Sequence, residues 1–296
     1  MASASRVLLL GMTGSFSLPS LEALLAAGIE VCGVMVPGRS GGPHLASPAA
    51  EGEDLPVLNP YAERSIVHVA WEHDVPVYEI GDLKADETLK VARAMKPEVL
   101  AVACFDRLIP RELKQLARLP VNVHPSLLPA NRGPAPLFWT FRLGLTTTGV
   151  TVHELTDVAD AGPILTQAEV PVPGGVMGAE LDQRLAELGG ELLVNVVRRL
   201  EAGELKPQPQ DESRASYQGW PTPEDWLIPA SWPARRAFNF IRGVKHLGGP
   251  VRIAGWSVEE AVAYDERGQL DAATREAHGV LQVRMQPGVL TVRIRS

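Results

Sequence analysis

Residues 121–129 read Val121-Asn122-Val123-His124-Pro125-Ser126-Leu127-Leu128-Pro129. In an extended strand alternate side chains share a face, so Asn122 and His124 point to one side while Val121 and Val123 point to the other. Pro125 has no N–H for a ladder and tends to end a strand, which places His124 at the strand's last position. In open parallel sheets ligands bind at that carboxyl end. A paired amide and imidazole there suits acyl transfer, because Asn offers a neutral donor to a developing oxyanion and His moves a proton. Taken alone, such a pair is more often a polar strand end hydrogen-bonded to a loop, since short motifs misfire often.

The residues before this strand decide the sheet around it. Short apolar runs at 6–10, 31–36, 75–80 and 99–105 read as strands. Between them, helical spacing appears at 18–27 through Leu18, Leu21, Leu24 and Leu25, at 61–73 through Ile66, Val69 and Ala70, and at 85–95. Alternating strands and helices predict a doubly wound parallel sheet. The first turn, Gly11-Met12-Thr13-Gly14-Ser15-Phe16, departs from both G-x-G-x-x-G and the Lys-bearing phosphate loop, which argues against a nicotinamide-dependent oxidoreductase on the same kind of sheet. Residues 37–60 form a long Gly, Pro, Ser and Ala-rich loop, with Arg39 its only fixed positive charge against Glu51, Glu53 and Asp54.

Beyond the strand come Asn131-Arg132-Gly133-Pro134-Ala135-Pro136, a helix ending near Gly144, Thr148-Gly149-Val150-Thr151-Val152-His153 with a strand read over 150–155, and Asp157-Val158-Ala159-Asp160-Ala161-Gly162. His153-Glu154 opens like a zinc-protease motif, but Asp157 stands where H-E-x-x-H needs its second His, so His153 reads as structural. Ser126 lacks the G-x-S-x-G elbow of an acyl nucleophile. This ordered set of motifs resembles the folate-dependent formyltransferases, with their Asn-x-His-x-Ser-Leu-Leu-Pro, Arg-Gly, Thr-Gly-Val-Thr and an Asp shortly before a Gly. The resemblance implies a Rossmann-like catalytic domain, 10-formyltetrahydrofolate as cosubstrate, and Asn122, His124 and Asp160 as the catalytic residues. It implies folate contacts from Phe105, Leu108 and Ile109 and from Ser126, Leu127, Leu128 and Pro129. Formyl transfer to a primary amine of that kind requires neither a metal nor a covalent enzyme intermediate.

A long amphipathic helix over 176–200 should pack on the sheet. The Pro- and polar-rich stretch 206–214 then reads as a linker, giving a catalytic domain over 1–205 and a second domain over 215–296. A helix at 234–244 and short alternating runs at 251–256, 261–264, 279–285 and 289–294 suggest a small β-barrel, which matches the OB-like C-terminal domain of some formyltransferases. Arg284, Arg293 and Arg295, with Trp256, are its candidate polyanion contacts.

The 296 residues, with formal net charge −7, do not describe a general nucleic-acid or DNA binder. Charge is uneven: 217–296 carry 10 Lys and Arg against 8 Asp and Glu, and the rest carry 18 against 27. No apolar run reaches the roughly twenty residues that span a bilayer, so no membrane role and a cytoplasmic location are expected. Cys32 and Cys104 lie in apolar runs and read as buried thiols. The resemblance leaves the amine open: the amino group of an initiator methionyl-tRNA first, then an amino-sugar nucleotide, then water in a hydrolase. A folate- or RNA-binding protein without activity is the alternative of a different class.

Overall fold

Val7, Leu8, Leu9 and Leu10 are fully buried along the first strand, β1 (Arg6–Gly11), because the strand is covered on both faces. The computed structural model describes residues 5–38, 42–46 and 64–295. Most of the predicted loop at 37–60, with Arg39, Glu51, Glu53 and Asp54, lies outside the described residues, as does the start of the helix predicted over 61–73. The chain divides into two compact units. One comprises Met1–Ala130, Gly149–Ala168 and Gln183–Ala215; the other comprises Asn131–Thr148, Glu169–Asp182 and Ser216–Ser296.

Around β1 assemble β2 (Glu30–Pro37), β3 (His44–Ala46), β4 (Val77–Ile80), β5 (Val99–Ala103), β6 (Leu119–His124), β7 (Thr147–Glu154) and β8 (Ile164–Pro171), in the order β3-β4-β2-β1-β5-β6-β7-β8. The central strands β4, β2, β1, β5 and β6 are mutually parallel, as expected. β3 and β7 run antiparallel to their neighbours, so the sheet is parallel-rich rather than wholly parallel. The hydrophobic pattern of a buried strand is the same for either direction, which is why composition missed the reversal. The chain leaves β1 first toward β2 and later toward β5, creating the switch point at which open α/β sheets bind ligands.

The helices of this unit are α1 (Leu18–Ala26), α2 (Ile66–Glu72), α3 (Asp86–Ala94) and the single turn α4 (Arg111–Lys114). Ser17 ties the first turn to the switch point: its hydroxyl accepts from Met12 N at 2.9 Å and donates to Ala103 O at 2.5 Å. A Cβ on Gly11 would lie 2.8 Å from the Ser17 side chain, so the glycine serves this closure. Leu8, Leu10, Met35, Ile80, Leu100 and Leu113 pack in one buried cluster.

The long predicted helix forms as α6 (Gly178–Glu201). Within the first unit its Gly189 and Gly190 lie so close to their neighbours that added Cβ atoms would sit 2.7 Å from Val123 Cγ1 on β6 and 2.6 Å from Pro19 O on α1. Val123 thus spends its face on packing, which leaves Asn122 and His124 for the opposite one.

In the second unit α5 (Pro136–Leu143) ends at Gly144 with φ +68°, the expected left-handed stop. Its Phe138 ring lies 5.7 Å from Phe240 on α7 (Ala234–Val244) and 4.9 Å from Trp226. Arg142 and Arg236 both stack on Trp232, at 4.5 and 4.0 Å. The Arg132-Gly133 stretch pairs with 216–218 through Arg132 N to Ser216 O at 2.9 Å and Gln218 N to Arg132 O at 2.8 Å.

Six strands, β9 (Leu227–Ile228), β10 (Arg252–Ile253), β11 (Trp256–Asp265), β12 (Thr274–Ala277), β13 (Val280–Arg284) and β14 (Val289–Ile294), form a second sheet in the order β12-β13-β14-β11-β10-β9. The strand expected over 251–256 is interrupted, since Ala254 and Gly255 both take positive φ, +48° and +85°, and make a two-residue hairpin turn. Arg293 pairs with Glu260 at 2.9 Å, on a solvent-facing surface of this sheet.

Cys32 is buried as expected, and burial pushes its thiol up to about 11, leaving it protonated and inert. Cys104 is exposed, contrary to expectation, because the chain turns there at φ +58° and leaves the buried register of β5. Among the described residues no helix is long and apolar enough to cross a membrane.

Candidate active site

β6 ends at His124, as the position of Pro125 requires, and its register fixes its polar residues. Asn122 stands opposite His153 and His124 opposite Thr151 on β7, while Val102 of β5 lies beside Asn122. His124 is buried and Asn122 half-buried. Asp160 reaches this strand end from the loop after β7. Its Oδ1 lies 3.5 Å from Asn122 Nδ2, 3.7 Å from His124 Nδ1 and 3.6 Å from His153 Nε2. Three polar groups named from the sequence therefore converge, and a fourth joins them. Among the described residues no cluster of His, Cys, Asp and Glu is arranged to hold a metal ion.

Asp160 has φ +54°, a conformation that Asp and Asn tolerate through their short polar side chains and most residues do not. The loop is held in that shape from three directions. Lys114, buried on α4, donates to Thr156 O at 2.7 Å and to Asp157 Oδ1 at 2.8 Å. Glu154 N donates to Pro163 O at 3.0 Å. Gln210 Nε2 donates to Asp160 O at 2.8 Å and to Gly162 O at 2.7 Å. Asp157 and Asp160 compete for the acidic role on sequence grounds, and the structure separates them. Asp157 is committed to Lys114, whose hydrogen bond and charge hold its carboxyl below the usual range, whereas Asp160 faces the Asn122 and His124 side chains.

The 126–129 loop is fastened by Thr151 of the Thr-Gly-Val-Thr run. Its hydroxyl donates to Ser126 O at 2.7 Å, and accepts from Leu128 N at 3.2 Å and from Gln167 Nε2 at 2.7 Å. Ser126 donates to Ala130 O at 3.0 Å and is buried, and Leu128 is buried as well, while Leu127 and Pro129 are half-buried. At the end of β5, Phe105 and Ile109 are half-buried against the core while Leu108 is 83% exposed.

His153, Thr151, Gln167, Lys114 and Gln210 escaped the sequence reading as site residues. The alternation of Thr151 with His153 carried a signal, because once β7 pairs with β6 both project to the same face of the sheet as Asn122 and His124. Gln210, inside a Pro-rich stretch, carried none. Gln210→Ala removes a donor from two carbonyls and loosens Asp160, so we expect a turnover loss of about tenfold with the melting transition retained. Steady-state kinetics beside a thermal melt checks this, and unchanged turnover would show that the loop holds its shape without Gln210.

A sequence profile of the formyl transferase family matches residues 8–197, which include the Asn122, His124 and Asp160 cluster. The chain belongs to the formyl transferase family. Methionyl-tRNA formyltransferase of Synechococcus sp. (strain JA-3-3Ab) is 37% identical over 242 residues, covering 80% of this chain and 70% of the relative. That of Chloroflexus aurantiacus (strain ATCC 29366 / DSM 635 / J-10-fl) is 34% identical over 294 residues, covering 94% and 88%. In fold, this formyl transferase chain is similar to the N-formyltransferase of Helicobacter canadensis solved with folinic acid and dTDP-3-aminofucose, with TM-score 0.68, 16% identity, and coverage of 98% of this chain and 99% of that one. Gln210 lies beyond the family's matched span.

Proposed function

We propose that the protein transfers the formyl group of 10-formyltetrahydrofolate to the amino group of methionyl-tRNA in the cytoplasm. The observation that carries this reading is the convergence of Asn122 Nδ2 and His124 Nδ1 on Asp160 Oδ1 at the carboxyl end of β6. The cosubstrate supplies an activated formyl carbon. Phe105, Leu108, Ile109 and the 126–129 loop would hold it.

The chain's own groups meet the three demands of the reaction. Asn122 donates an N–H to the formyl oxygen as negative charge develops on it. His124 takes a proton from the attacking amine and returns one to the departing nitrogen. Asp160 orients His124 through Nδ1 and balances the positive charge that appears on the ring. The two groups stand 3.7 Å apart, a distance that a small movement of either side chain closes to a hydrogen bond.

In this reading residues 1–205 perform catalysis, 206–214 link, and 215–296 form an OB-like domain that meets the acceptor. Its excess of basic over acidic residues, set against the acidic remainder, is of the sign a tRNA requires. The match to the Chloroflexus aurantiacus enzyme runs over 94% of this chain, so it reaches into that domain and supports the same acceptor.

The test measures acceptor-dependent release of tetrahydrofolate with charged initiator methionyl-tRNA, with a panel of amino-sugar nucleotides, and with water alone. Release on tRNA addition is expected. Release with a sugar nucleotide and none with tRNA would keep the chemistry and replace the acceptor, and release without any acceptor would indicate a hydrolase.

A further inference from the structure

We infer that His153 is a positioning residue that sets which end of the Asn122 amide faces the reaction; the inference rests on the formyl-transfer reading proposed above. His153 is only 1% exposed and lies across the strand pair from Asn122. Its Nδ1 is 2.9 Å from the backbone oxygen of Glu154. A carbonyl oxygen can only accept, so Nδ1 carries the ring proton. In the neutral ring Nε2 is then an acceptor, and it lies 3.3 Å from Asn122 Nδ2. Asp160 Oδ1, 3.5 Å from the same nitrogen, is a second acceptor.

An asparagine side chain presents NH2 at one end and oxygen at the other. Rotated by half a turn, Asn122 would aim its oxygen at the lone pairs of both His153 Nε2 and Asp160 Oδ1. In the observed orientation both acceptors receive an N–H, and the shorter contact, to His153, fixes the amide plane. The longer one leaves an N–H that can turn to the formyl oxygen as charge builds there. A flipped amide would offer that oxygen another acceptor and forfeit the stabilisation. His153 therefore acts through Asn122 and touches no reacting atom. The 6.3 Å edge-to-face separation of the His124 and His153 rings leaves His124 to its own contact with Asp160.

The test combines two substitutions, a cycle and a spectrum. His153→Leu removes the acceptor from a buried position while keeping apolar bulk, and should lower kcat about tenfold with both KM values within about twofold of wild type. His153→Gln restores an acceptor oxygen and should recover most of the rate. In an Asn122→Ala background His153→Leu should change nothing further, because the group it orients is gone. A full additional tenfold loss there would overturn the inference, as would a His153→Leu enzyme with normal kcat. Should the leucine variant fail to fold, nitrogen NMR of the wild-type protein decides: His153 must be protonated at Nδ1 and bare at Nε2, and a proton on Nε2 instead sinks the proposal. That spectrum is independent of activity, so absence of formyl transfer by the wild type would count against the proposed reaction alone.

Discussion

Asn122→Ala, His124→Ala and Asp160→Ala are each expected to lower turnover by at least about a hundredfold while the cooperative melt is retained. The size follows from the roles. Removing Asn122 deletes the proposed oxyanion donor from a half-buried site, where a hydrogen bond to developing charge is worth more than in water. Removing His124 deletes the group proposed to move the proton in both directions. Asp160 needs a second variant, because alanine is also strained at φ +54° and its loss would mix backbone with chemistry. Asp160→Asn keeps the shape and the left-handed preference and removes only the charge, so its turnover isolates the carboxylate. Near-normal turnover in any of these, with the fold intact, removes that residue from its role.

Gly162→Ala is the second large effect, and it acts through the backbone. A Cβ there would fall 1.8 Å from Glu154 O and 2.8 Å from its carbonyl carbon, neither of which can swing aside as a side chain could. The loop must move, and Gln210's bonds to Asp160 O and Gly162 O move with it. A shift of the Asp160 carboxylate by about 1 Å costs on the order of a hundredfold in rate. The forced repacking costs about 1–3 kcal/mol of stability. Calorimetry and turnover on the same preparation should show both a lower Tm and the rate loss. Retention of wild-type values would mean that the 154–162 turn relaxes without disturbing Asp160.

Legibility in the sequence followed how local each determinant is. β6, its end at His124, the stop at Gly144 and the helix at 234–244 rest on alternation, a proline, a glycine and helical spacing within one segment, and they form as read. β8 went unread because Thr166, Gln167 and Glu169 break its apolar pattern. Gln167 earns its place only through contacts with Leu128 and Thr151, distant in the chain. The same holds for His153, read as structural from its immediate neighbours: its partners arise from the antiparallel β6 and β7 register, which no local pattern specifies. Asp160 was identified through a motif, and the physical reason for that motif appears only in the structure. The loop needs Asp at a positive φ, glycine at 162 for a backbone approach, and Gln210 to hold both carbonyls.

The central claim is that this strand end moves a formyl group from the folate to an amine. Its most direct test supplies 10-formyltetrahydrofolate with an isotopically labelled formyl carbon, together with charged initiator methionyl-tRNA, and follows the label by mass spectrometry with wild-type and His124→Ala protein. The account predicts that the wild type places the label on the methionine amino group at catalytic turnover and that the variant does so at least about a hundredfold more slowly. Label found only as free formate, or equal transfer by both proteins, would contradict it.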